Sequence, residues 1–352
     1  MIRDKRVRFV NSFSPYPLCC PARASVLTGL YTHNHGVYSV YAGYGFHAFD
    51  DRHTLATMLQ RAGYDTVYLG KYLNRYGIDP PHDNRTANSL HYVPPGWPMW
   101  RASLDGGFVP GSRWDGGTYR YFDATLSFNG QGFEALEGRY QTNAYGDIAR
   151  SIIQNRAADP QPFLLYLSFT APHTGGPHEA GDPAPTRLPN GALYDWKTPA
   201  RPIGVWGYWN SVIKAAAGAS WRDPDFTDKP AYLRELAPLT DIDRRRVLEV
   251  TCERAESLTV ADREVGALMR TLAGTGEMGR TLVVFTSDNG YFLGEQRMRL
   301  GKVFPHGPSL RVPLLMRGPG IPRRRDPARP FHLRRLRADP GRRGRHVART
   351  RA

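Results

Sequence analysis

The stretch Cys19-Cys20-Pro21-Ala22-Arg23 sets two adjacent thiols beside a proline and a fixed cation, in a chain whose only other cysteine is Cys252. A thiol near a guanidinium at a helix start can be a nucleophile of low pKa, because positive charge favours the thiolate. The competing reading is a small buried apolar side chain, the usual role of a lone cysteine. Other positions offer complementary chemistry. Lysine is scarce, six residues against 41 arginines; Lys71 follows a strand-like run and Lys302 follows a glycine. His173 follows the run "FLLYLSF" and could move a proton, although a histidine there is often a surface residue. Asp288 and Asn289 end another apolar run and offer hard oxygen ligands of the kind Ca2+ or Mg2+ takes. The same Asn289-Gly290 pair could equally be a turn.

The elements that would carry these residues read as α/β. "TLATMLQRAG" (54–63) has the pattern of a helix stopped by Gly63, and "TVYLG" (66–70) follows as a short strand. "FLLYLSF" (163–169), "TLVVFTS" (281–287) and "VPLLMRG" (312–318) are continuous apolar runs that suit buried strands. A long helix is expected over 241–273, with Leu258, Ala261, Val265, Leu268 and Leu272 on one face. Strands alternating with helices predict a largely parallel sheet covered on both sides, with sites where strands end. The segments 77–140 and 171–235, rich in Gly, Pro, Trp and Tyr, read as long ordered loops or small insertions.

Bulk properties exclude several classes. With 352 residues, 41% hydrophobic and 12% aromatic, the chain is globular and can bury a large core. No apolar run is long enough to span a membrane, and the N-terminus "MIRDKRVRFVN" does not read as a secretory signal. Three cysteines allow at most one disulfide, so no disulfide scaffold is implied. The net charge of +15 is uneven: residues 322–352 hold twelve arginines against two aspartates, leaving +5 for residues 1–321. The organisation expected is therefore a folded domain over 1–321 and a tail over 322–352, disordered in isolation. Clustered arginine alone would bind nucleic acid or other polyanions without sequence preference.

Taken together, the motifs resemble the sulfatase family. Cys19-x-Pro21-x-Arg23 followed by Leu27-Thr28-Gly29 is similar to the pattern Cys-x-Pro-Ser-Arg-x-x-x-Leu-Thr-Gly, with Ala22 in place of Ser. "GYDTVYLGK" (63–71), "APH" (171–173), "TSDNG" (286–290) and "GKVFPHGPSLRVPLLMRGPG" (301–320) resemble further family blocks in family order, with His306-Gly307 where Tyr-Glu is usual. "GKYLNRYG" (70–77), "YVPPGWPMW" (92–100) and "YFDATLSFNG" (121–130) look like the N-acetylglucosamine-6-sulfatase branch. Within that loop Trp97 and Trp100 either stack on a sugar ring or pack the protein.

The resemblance implies an alkaline-phosphatase-like α/β/α sandwich and hydrolysis of a sulfate monoester on a sulfated carbohydrate. It implies that Cys19 is converted to formylglycine by a maturation enzyme. The hydrated aldehyde would attack sulfur with one hydroxyl and expel sulfate with the other. Arg23 and Lys71 would hold the diol and sulfate oxygens. His173 with Lys302 would protonate the departing alcohol. Asp288 and Asn289 would bind Ca2+ or Mg2+. Two other readings stay open: a phosphomonoesterase or phosphonate hydrolase sharing the same sheet, and an inactive remnant that binds polyanions through its basic tail.

The family pattern also begins with a buried strand ending in Asp-Asp and continues into a C-terminal subdomain. This sequence is expected to lack both. Asp50-Asp51 lies beyond the cysteine motif, just before a helix, where a capping role is expected. An altered reading frame would account for the arginine-rich tail; resequencing and the intact mass test that idea.

Overall fold

The computed structural model describes residues 7–83, 87–188, 190–214 and 225–321, with the backbone of Phe331–His332. Strands β1 (Val7–Arg8) and β2 (Ser12–Phe13) lead into helix α1 (Cys19–Thr28) and the turn α2 (Thr32–His35). Helix α3 (Leu55–Arg61) precedes β3 (Asp65–Lys71). Strands β4 (Met99–Ser103), β5 (Thr125–Phe128) and β6 (Gly132–Ala135) follow, then α4 (Gln141–Arg156) and β7 (Phe163–Ser168). The pair β8 (Thr186–Arg187) and β9 (Leu193–Tyr194) and the turn α5 (Ala231–Arg234) precede the 34-residue α6 (Asp241–Gly274). Then come β10 (Val283–Thr286), β11 (Phe292–Leu293), β12 (Leu300–Gly301), α7 (Gly307–Leu310), β13 (Leu314–Arg317) and β14 (Phe331–His332).

The main sheet has the order β6-β5-β4-β3-β7. Its centre is parallel, β3 lying between β4 and β7, and its β4-β5-β6 side is antiparallel. A second sheet, β1-β13-β10, is antiparallel throughout. The architecture is thus a mixed sheet: β4 lies parallel to β3 after a crossover with no helix among its described residues, and β7 returns beside β3 directly after α4.

Alternation along β3 explains the layers. Tyr68 faces a core built from Cys20, Ala24 and Leu27 of α1, Ala56 of α3, and Trp97 and Trp100. Val67 and Leu69 face the opposite core, built from Ala144, Ala149, Ile152 and Ile153 of α4 and Leu268, Met269 and Leu272 of α6. Helices therefore cover both faces. Trp100 is wholly buried, and its indole N–H donates to Tyr76 Oη at 2.7 Å. Both tryptophans pack the core, which settles the choice left open by their sequence.

Several expectations need correction. The segment 77–140 is not loop alone: it contributes β4, β5 and β6 to the main sheet. Leu258 is 42% exposed, although Ala261, Leu268 and Leu272 are buried as the helical spacing predicts. The cause is a change of partner along α6: Val247 and Val250 pack with Trp196, whereas Leu268 and Leu272 pack under the main sheet. Asp50-Asp51 does not cap α3. Thr54 does so, in a reciprocal capping box with Thr57. "FLLYLSF" and "TLVVFTS" form β7 and β10, but both are sheet edges, and most of their side chains are half-buried. The expected disorder of 322–352 falls outside the described residues, except that the backbone of β14 pairs in parallel with β2. All three cysteines are free and buried.

Candidate active site

Helix α1 presents two of the functional side chains. Leu18, extended, precedes it, and Pro21 sits in the first turn, where a missing N–H costs nothing. Gly29 closes it in the left-handed conformation at φ 72°, its N–H reaching Ser25 O at 2.8 Å. Cys19 is the first helical residue, so its Sγ lies at the positive end of the helix dipole. One turn on, Arg23 lies on the same side. Cys20 instead packs into the core beneath, where burial raises its pKa.

The remaining groups come from strand ends. Lys71 is the last residue of β3, and in the parallel register Gly70 is opposite Ser168 of β7. That register needs glycine: Gly70 has φ 98°, and a Cβ there would lie 2.2 Å from Ser168 O. Asp288 follows β10. Arg23 draws these ends together, its Nε donating to Asp288 Oδ2 and its Nη1 to Lys71 O and Ser168 Oγ, each at 2.7 Å. Lys302 Nζ donates to Cys19 Sγ at 2.8 Å and lies 3.3 Å from Asn289 Oδ1. His173 Nδ1 donates to Thr174 O at 2.8 Å, which leaves Nε2 as the free ring nitrogen. Tyr119 bridges Lys71, 4.8 Å from its ring, and His173, whose ring is 4.6 Å away. Asn74 fixes Tyr119 by donating to its hydroxyl at 2.6 Å.

Burial and charge set the protonation states. Burial alone would raise the Cys19 pKa, but Lys71 and Lys302 outweigh it and the thiol falls below its ordinary value. The pocket at position 19 therefore stabilises negative charge. Burial, then Lys71 and Lys302, push His173 well below the imidazole range, so its ring is neutral. Asp288 is opposed by burial, yet Arg23, Lys71 and Lys302 hold its carboxyl below the usual range.

Comparison with known proteins gives the context for this arrangement. The family model described as Sulfatase matches residues 2–332.

The chain belongs to the sulfatase family.

It is 30% identical over 329 residues to the extracellular sulfatase SULF-1 homolog of Drosophila melanogaster, covering 91% of this chain and 25% of the relative. It is 27% identical over 335 residues to the N-acetylglucosamine-6-sulfatase of Homo sapiens, covering 91% of this chain and 52% of that one. The chain thus spans a quarter to about half the length of these relatives. Among solved structures, BT4656 in complex with its substrate D-glucosamine-2-N,6-O-disulfate superposes with a TM-score of 0.63 at 21% identity, covering 90% of this chain and 65% of that one. At that identity the likeness establishes the fold, the alkaline-phosphatase-like sandwich.

Sulfatases generally use a divalent metal and a formylglycine. The position of Cys19 fits the second: a small side chain, buried among cations, in a field that favours an anionic atom. The metal fits less well. Ca2+ takes six to eight oxygen ligands. Here Asp288 gives one oxygen to Arg23 and the other to the Asn289 N–H at 2.9 Å, while Asn289 Oδ1 faces the Lys302 ammonium. No group of three or more His, Cys, Asp or Glu side chains forms a metal cluster among the described residues. The Asp288-Asn289 pair alone does not make a Ca2+ or Mg2+ site.

Sequence reasoning brought forward Cys19, Arg23, Lys71, His173, Asp288, Asn289 and Lys302, and the structure gathers them around α1 and the strand ends. Tyr119, Asn74 and Ser168, which contact this cluster, were not among them. Asn74 lies inside "GKYLNRYG" (70–77), whereas nothing in the local sequence marks Tyr119 or Ser168. Among the described residues no helix is long and apolar enough to cross a membrane.

Proposed function

We propose that the chain hydrolyses sulfate monoesters on a sugar, with sulfated glucosamine as the substrate class, after Cys19 is converted to formylglycine. The observation that carries this reading is the placement of Cys19 Sγ at the α1 N-terminus, 2.8 Å from Lys302 Nζ. An oxygen nucleophile at that position would meet the same charge stabilisation as the thiolate. The named substrates of the relatives support the sugar assignment.

Formylglycine supplies a geminal diol, one hydroxyl to form the bond to sulfur and the second to release it. The other work falls to this chain's residues. Lys71 and Lys302 hold the anionic oxygens of the ester close to position 19. Arg23, pinned by Asp288 and Ser168, keeps the α1 terminus and the β3 end in register. His173 is kept neutral by burial and the two lysines. A bound sulfate ester offsets those lysines, which favours protonation of the ring, and Nε2 takes the proton lost by the attacking hydroxyl and passes it to the departing alcohol oxygen.

The test is co-production with a formylglycine-generating enzyme, followed by peptide mass spectrometry across residues 7–23 and an aryl sulfate assay. Conversion of thiol to aldehyde at Cys19, with sulfate release that is lost in Cys19→Ala, is expected. Retention of the thiol beside an active maturation enzyme, or faster turnover of aryl phosphate than of aryl sulfate, would overturn the reading.

A further inference from the structure

Lys302 faces two ways. Besides touching Cys19, it lines a cavity of about 250 Å³ together with Tyr194, Tyr232, Arg297, Arg299 and Phe304. Tyr232 and Phe304 stack at 5.4 Å with an interplanar angle of 10°, yet remain 41% and 43% exposed. An exposed stacked pair beside a cavity is a ready surface for the C–H face of a sugar ring. His306 fixes Tyr232, its Nε2 lying 2.6 Å from the Tyr232 hydroxyl.

The cations of the cavity are not equivalent. Arg299 is neutralised by a bidentate pair with Asp243, at 2.7 and 2.9 Å. Arg297 donates to the Leu236 carbonyl at 3.1 Å and lies over the Phe226 ring at 3.6 Å. With Lys302 it leaves the cavity net positive. The backbone that displays these groups is strained: Gln296, Arg297 and the β-branched Val303 have φ of 56°, 59° and 92°. The Val303 N–H bonds to Pro17 O at 3.1 Å, tying this turn to the segment just ahead of Cys19.

We propose that this cavity is the subsite for the neighbouring residue of an anionic oligosaccharide, the sugar joined to the one whose ester is cleaved. Tyr232 and Phe304 take its ring face, and Arg297 takes its carboxylate or sulfate. The inference rests on the sulfatase reading of the Cys19 site and deepens it from a sulfated sugar to an oligosaccharide with at least two anionic positions.

Calorimetry on the full chain with unconverted Cys19, which does not turn over, tests the idea. The probes are N-acetylglucosamine 6-sulfate and a disaccharide in which that sugar is joined to a uronic acid. The disaccharide is expected to bind at least about tenfold more tightly, the size of one good charge-assisted contact. Arg297→Ala and Phe304→Ala, both changes at the cavity wall, should bring that ratio close to one. Equal binding of the two sugars, no binding of either, or a ratio unchanged in both variants overturns the subsite. Aryl sulfate turnover by the converted wild-type chain is scored separately. If it is absent while the Arg297-dependent preference persists, the hydrolytic reading fails and the subsite stands.

Discussion

Arg23 and Asp288 meet at 2.7 Å across 265 residues of sequence, joining the first turns of α1 to the end of β10. The pair lies largely out of water, with side chains 10% and 19% exposed. Removing one member leaves a buried charge unpaired, at a cost of roughly 3–5 kcal/mol. Asp288→Ala should therefore lower the urea midpoint markedly and abolish sulfate release. A midpoint unchanged from wild type would show the pair to be dispensable.

Cys19 in the unconverted chain should ionise below an ordinary thiol, because Lys71 and Lys302 outweigh its burial. A pH titration of ultraviolet thiolate absorbance would read this, with Cys19→Ser as the blank. Lys302→Met removes both a charge and a hydrogen bond, so the transition should move upward. A midpoint at or above the ordinary thiol value in the wild type would contradict the electrostatic account.

The ring of His173 should remain neutral through the whole range where an exposed histidine titrates, since burial and the two lysines oppose its protonation. Ring resonances followed by NMR would show no transition near neutrality. Lys71→Met should bring the transition upward, and so should sulfate bound between the lysines. Titration of wild-type His173 at the usual imidazole value would contradict the account of a ring kept neutral by burial and the two lysines.

Away from the site, Arg201 is 3% exposed and faces four carboxylates, those of Glu179, Asp182, Glu253 and Glu256. One guanidinium cannot match four negative charges in a buried place. Burial foremost raises Glu253 to about 8, with Asp182 and Glu256 adding to the rise against Arg201. A carboxyl raised on folding stabilises fully below its unfolded pKa, and that contribution is lost as pH climbs through the folded value. Stability should therefore fall between roughly pH 4.5 and 8, the interval separating the ordinary and raised values of Glu253. Glu253→Gln should flatten that slope and raise the melting temperature at pH 8. A steeper slope in the variant would refute the assignment.

Much of this was legible because strong local patterns coincide with tertiary roles. The helix expected over 241–273 is α6, Asp241–Gly274: the apolar spacing marked it, and Thr240 and Asp243 close its start in a capping box. The lysine, histidine and Asp-Asn positions could be read because each follows an apolar run that becomes a strand, and strand ends in this architecture converge. What was hidden depends on partners far away in sequence. "WPMWRAS" has no clean alternation, because Trp97 and Trp100 share a core with Tyr68 and Tyr72. The exposure of Leu258 follows from which neighbour α6 meets at that point. Tyr119 earns its place only by lying between Lys71 and His173.

The two apolar edges carry one more consequence. β7 bonds only to β3, and β10 only to β13, among the described residues. Val284 is 38% and Leu282 43% exposed beside that second edge. Strand edges with no further strand partner among the described residues, flanked by oily side chains, invite docking of an extended chain. Held alone at high concentration, the polypeptide should self-associate through these rims, and light scattering should grow steeply with concentration. A lysine placed at Val284 would blunt that stickiness without touching the chemistry.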